Sequence, residues 1–161
     1  MYKIRLLILL LISTLTLSCT TSTKNNSKFS VSYIGGGYDG LLLKNYLIGY
    51  LSSIGSYDER SIYTINANIS HSSNVFITNI DNTSDREKVN TTLQASLSNK
   101  VLECVVFNEN YSTSQFYIYA PSDKFLSNQA AFTKITKDNT EALVKIFINK
   151  LRRSKLKCND S

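Results

Sequence analysis

The chain has 161 residues, 42% of them hydrophobic and 19% charged, with 18 basic and 12 acidic side chains and a net charge of +6. That length suits one domain around a single core. The only histidine, His71, has no cysteine or paired carboxylate at metal-ligand spacing beside it, which argues against a metal centre and against histidine-based catalysis.

The first nineteen residues set the address. Lys3 and Arg5 precede a leucine-rich run from Leu6 to Leu17, and Ser18-Cys19 follows. A run of about a dozen apolar residues is too short to span a bilayer, which takes roughly 20, and has signal-peptide proportions. A small residue before a cysteine at the end of such a run is what lipoprotein processing requires. Residues 1–18 therefore read as a lipoprotein signal peptide and Cys19 as the acylated first residue of the mature chain, although Thr16 stands where an aliphatic residue is usual. Lipid on Cys19 then supplies the membrane attachment. An exported chain is a poor partner for nucleic acid. Residues 19–28 are polar and aperiodic, a tether ahead of a domain over 29–153, with a basic polar tail at 154–161.

Phe29, Val31 and Tyr33 alternate with polar residues as a first strand that ends in a turn at Gly35-Gly36-Gly37. Asp39 offers an N-cap, and Leu43, Leu47, Tyr50, Leu51 and Ile54 recur at helical spacing until Gly55. Tyr63, Ile65, Ala67 and Ile69 mark a second strand, prolonged past a bend at His71, which reads as an exposed turn histidine. Asp81 to Glu87 reads as a loop. Val89, Thr91, Leu93, Ala95 and Leu97 alternate strictly with polar residues, and the segment from Val101 to Phe107 returns as the hairpin partner after a turn at Ser98-Asn99-Lys100. Pro121 stands where a helix start tolerates it, and Phe132, Ile135, Ala142, Leu143, Ile146, Phe147 and Leu151 line one face of a long last helix. This order predicts an α+β two-layer sandwich, a mainly antiparallel sheet of about four strands with two helices packed on one face.

Three features stay open at this level. Cys104 and Cys158 form an even pair, so a disulfide is one reading; the other makes Cys104 a small core residue and leaves Cys158 free. Lys145, Lys150, Arg152, Arg153, Lys155 and Lys157 crowd the end of the chain, as a solvated helix terminus or as a site for an anionic partner. Tyr111, Phe116, Tyr117 and Tyr119 either fill the core or pack on a partner.

The lipidated start, the order of elements and several local patterns resemble LptE, the lipopolysaccharide-assembly lipoprotein family, in its alphaproteobacterial branch. The likeness runs over residues 40–151: the helix Gly40-Leu41-Leu42-Leu43-Lys44-Asn45-Tyr46-Leu47, the hairpin from Val89 to Phe107, then Tyr111 and Tyr119-Ala120 before the last helix. The resemblance implies a non-catalytic protein without cofactor. It would plug and support an LptD-type outer-membrane β-barrel from the periplasmic side and assist lipopolysaccharide transport to the cell surface. It implies lipid A contacts from loop cations, whose counterparts here are Arg86, Lys88 and Lys124. The outward Asn66, Asn68, Asn90, Thr92, Gln94 and Ser96 would form a polar face towards the barrel, or face plain solvent. The competing reading is another small envelope lipoprotein with a binding or adhesive role.

Overall fold

The computed structural model describes residues 27–77, 84–118 and 125–158. Cys19, Pro121 and Lys124 lie outside them. Four strands and two helices follow in the order β1 (Ser30–Gly35), α1 (Gly37–Ser53), β2 (Tyr63–Ile77), β3 (Ser84–Asn99), β4 (Cys104–Ile118) and α2 (Phe125–Arg153). The sheet is open, with strand order β1-β2-β3-β4. β1 runs parallel to β2, reached through the α1 crossover, and the other pairings are antiparallel. The α+β expectation holds.

Gly36 makes the β1–α1 turn possible. It sits at φ 111°, and a Cβ there would lie 2.6 Å from the Ile69 carbonyl oxygen, so both its conformation and the close passage of β2 demand glycine. Gly36 is also the residue that caps α1, while Asp39 falls inside the first turn and gives no side-chain cap. At the other end Gly55 takes φ 67°; its N–H donates to the Ser52 carbonyl and that of Ser56 to the Leu51 carbonyl at 2.8 Å, the two bonds of a Schellman stop.

Leu43, Leu47 and Leu51 of α1 and Leu143, Val144, Phe147, Ile148 and Leu151 of α2 are buried against Ile65, Ala67, Ile69, Leu93, Ala95, Leu97 and Phe107. Both helices thus cover one sheet face, the one carrying the odd-numbered side chains of β2, β3 and β4. Ile146, expected on the buried stripe of α2, is instead exposed, and Val144 and Ile148 take the inward positions. Tyr111 packs edge-on against Phe147 with ring centroids 6.2 Å apart.

Cys104 opens β4 and is joined to Cys158 by a disulfide, which decides between the two readings of this pair. Leu156 packs against the core cluster on the way. The tail therefore runs back along the domain as far as Cys158.

Two expectations are corrected. There is no bend at His71: β2 is continuous and pairs with β3 from Tyr63↔Asn99 to Ile77↔Ser84, with one irregularity at Phe76/Ile77. Of the loop expected over Asp81 to Glu87, residues 81–83 lie outside the described residues and the rest is strand, since β3 begins at Ser84 and Arg86 and Glu87 pair with β2 on one side and β4 on the other. Ser-, Asn- and charge-rich runs are weak strand formers alone, but a ladder on both sides overrides that preference. Similarly, β4 starts at Cys104 rather than Val101, because residues 100–103 are spent on the turn, where Glu103 adopts φ 51°.

Candidate functional site

The face of the sheet away from the helices carries the even-numbered side chains. Its central rows are Asn66, Ser96 and Asn108; Asn68, Gln94 and Asn110; Ser70, Thr92 and Ser112; and Ser72, Asn90 and Ser114. None of these residues is buried. Twelve neighbouring positions without a charge are unusual for a face turned to water, where a quarter to a third of residues are commonly ionic. Every side chain here is an amide or hydroxyl able to donate and accept hydrogen bonds.

The next two rows change character. Lys88 stands opposite Phe116, and Arg86 opposite Ile118. Arg86 and Lys88 are two residues apart on one strand, so they share this face at roughly 7 Å spacing. Phe116 and Ile118 are exposed, the latter at 81%, and the Lys88 Nζ lies 5.8 Å from the Phe116 ring centroid, within cation–π range. Cations beside uncovered apolar side chains suit a ligand that is both anionic and greasy. The structure brings Arg86 and Lys88 together; Lys124, outside the described residues, is joined in sequence to Phe125 at the start of α2.

Behind this end, the helix-covered side carries a polar network beside the buried Val89 and Ile135. The ring of His71 has only 5% of its side-chain surface exposed. Its Nδ1 lies 2.8 Å from Thr91 Oγ1. Asn139 of α2 donates from Nδ2 to the same oxygen at 3.1 Å and accepts from Gln115 Nε2 at 2.8 Å. Tyr117 donates to the buried Glu87 carboxylate. His71 Nε2 is buried without a hydrogen bond, 3.8 Å from Asp39 Oδ2 of α1. A lone pair on Nε2 would repel that carboxylate, which assigns the proton to Nε2 and makes the Thr91 hydroxyl the donor to Nδ1. Burial holds the His71 pKa below the ordinary histidine value, with Asp39 opposing in part.

This network was missed in the sequence. Strict alternation places Thr91 on the inward side, and Asn139 falls on the helical stripe between Ile135 and Leu143; two polar residues at core positions are the signal that could have found it. Of the four aromatics from Tyr111 to Tyr119, Tyr111 faces the core, Tyr117 bonds to Glu87, Phe116 faces outward, and Tyr119 lies outside the described residues.

Among the described residues no group of three or more His, Cys, Asp or Glu is placed to hold a metal, and no helix is long and apolar enough to cross a membrane. No family model matches the chain, and no curated protein matches it in sequence. The fold is shared with solved lipoprotein structures. Rare lipoprotein B from Shewanella oneidensis superposes with a TM-score of 0.64 at 8% identity over 78% of this chain and 93% of its own. A minor lipoprotein from Acinetobacter baumannii gives 0.61 at 12% identity over 84% and 98%. A putative lipoprotein from Caulobacter crescentus gives 0.56 at 17% identity over 79% and 89%. The chain thus has a fold found in bacterial lipoproteins, spanning nearly the whole of those structures.

Proposed function

We propose that this protein is an outer-membrane lipoprotein of the LptE type, acylated at Cys19, that plugs and supports an LptD-type β-barrel from the periplasmic side and assists lipopolysaccharide assembly. The observation that carries the reading is the uncharged sheet face. The lumen of an outer-membrane barrel is polar. A face of amides and hydroxyls can be enclosed there by exchanging water for hydrogen bonds with the wall, whereas a face of lysines and glutamates would bury unpaired charge. The neighbouring structures, lipoproteins of the same fold, support the lipoprotein part.

On this reading Arg86 and Lys88, with Lys124, contact the phosphates of lipid A, and Phe116 and Ile118 meet its acyl chains. Guanidinium and ammonium groups bind phosphate through charge-assisted hydrogen bonds. The protein performs no chemistry on the lipid. Charge reversal, Arg86→Glu with Lys124→Glu, is expected to weaken lipopolysaccharide binding at least tenfold, the loss of two charge-assisted contacts, while the circular dichroism spectrum stays unchanged. Undiminished binding by the double variant removes these residues from the site.

A further inference from the structure

The opposite end of the domain is where the chain enters it. The start of β1, the end of α1, the β3–β4 turn and the end of α2 meet there: the Phe29 N–H donates to the Ser56 carbonyl at 2.9 Å, the Lys100 N–H to the Ile62 carbonyl at 2.8 Å, and Cys158 is bonded to Cys104. Val101 and Leu102 form the tip of the turn and are 71% and 64% exposed. They are held in place, because Asn99 Oδ1 accepts from both of their backbone N–H groups at 3.0 and 3.1 Å. Lys100 precedes them. Lys150, Arg152, Arg153, Lys155 and Lys157 lie between the last turn of α2 and the disulfide, whose other half is two residues beyond Leu102. Among the described residues the acids at this end are Asp58, Glu59, Glu103 and Glu109, and Glu109 is paired with Lys150 at 3.8 Å.

We propose that this end is a membrane-docking surface: the Val101-Leu102 tip enters the interface of an anionic phospholipid leaflet, and the cations held beside it by the disulfide pair with headgroup phosphates. An exposed apolar tip on the same end of the domain as a cluster of lysine and arginine is the chemistry that binds anionic bilayer surfaces; Lys100 itself turns its Nζ to Ser30 Oγ at 3.3 Å. The proposal rests on acylation of Cys19. The eight residues from Thr20 to Ser27 span at most about 28 Å, whereas the Arg86 end is roughly 45 Å away along strands of this length. A lipid on Cys19 therefore keeps the Val101-Leu102 end within reach of the leaflet, and the Arg86 end lies beyond the reach of the tether. The basic cluster serves as this surface, in addition to complementing the α2 dipole.

The chain contains no tryptophan, so Leu102→Trp introduces a single reporter at an exposed position. The full mature protein, acylated, is placed in vesicles of phosphatidylcholine alone or with phosphatidylglycerol. The indole emission is expected to shift to shorter wavelength in the phosphatidylglycerol vesicles and to remain solvent-like in phosphatidylcholine. Adding Lys155→Gln and Lys157→Gln is expected to weaken the contact roughly 25-fold, about fivefold for each cation near the surface, and to return the emission to the solvent position. Replacing Cys104 and Cys158 by serine, which releases the tail, is expected to diminish the shift. Emission that is the same in both vesicles, on protein whose Cys19 is shown by mass spectrometry to carry acyl chains, overturns the docking and leaves the anchor standing. A shift that appears only on adding an acidic protein also overturns it. A mass without acyl groups overturns the anchor and takes the docking with it.

Discussion

At the scale of single residues, His71 is the most informative side chain. It is buried in its neutral form between Thr91 and Asp39, with a pKa lowered by desolvation. A base whose folded pKa lies below its unfolded value binds protons more readily when unfolded. Stability is therefore full above the unfolded value, about 6.5, and is lost as the pH falls from there towards the lower folded value. No other histidine is present, so few groups compete in this window. The thermal midpoint is expected to fall between pH 7 and pH 5, and in His71→Gln the fall is expected to be smaller. An equal fall in the variant would place the acid sensitivity elsewhere, in the carboxylates.

At the scale of elements, the disulfide ties the C-terminal tail to the start of β4. Cys104 and Cys158 are 54 residues apart, and a cross-link closing a loop of that size stabilises by about 2–4 kcal/mol, mainly by restricting the unfolded chain. Replacing both by serine is expected to lower the free energy of unfolding by that amount in a denaturant titration; a change below about 0.5 kcal/mol, the level of an ordinary surface substitution, would mean that Leu156 alone holds the tail. The elements differ in how far they could be read from the sequence. Leu43, Leu47 and Leu51 repeat at four-residue spacing and Val89 to Leu97 alternate without a break, so α1 and the centre of β3 were plain. The far halves of β2 and β3 were not, because Ser70 to Asn74 and Ser84 to Lys88 have no apolar alternation and owe their extended form to pairing across the sheet. Arg86 and Lys88, the proposed lipid A contacts, belong to that stretch. The family resemblance alone points to them, and their place on one strand face beside Phe116 and Ile118 emerges only from the register.

At the scale of the whole molecule, the domain has four distinct sides. Helices seal one side of the sheet, an uncharged polar face lies on the other, and the two ends differ: Arg86 and Lys88 among exposed apolar side chains at one, the Val101-Leu102 tip with its cations at the other. A plug needs this division, because a wall-facing surface, a ligand end and an anchored end must act at once without interfering. The long strands separate the ends. On the proposed reading, acylated Cys19 and its short tether decide which end stays near the inner leaflet. The most direct measurement is recovery of the acylated protein from gently solubilised outer membranes. Co-purification with a large β-barrel protein in equimolar amount is the predicted result, with cross-links from Asn68 or Gln94, each replaced by a photoreactive residue, to the barrel's inner wall. Recovery as a free monomer, with no cross-link from either position, would contradict the account.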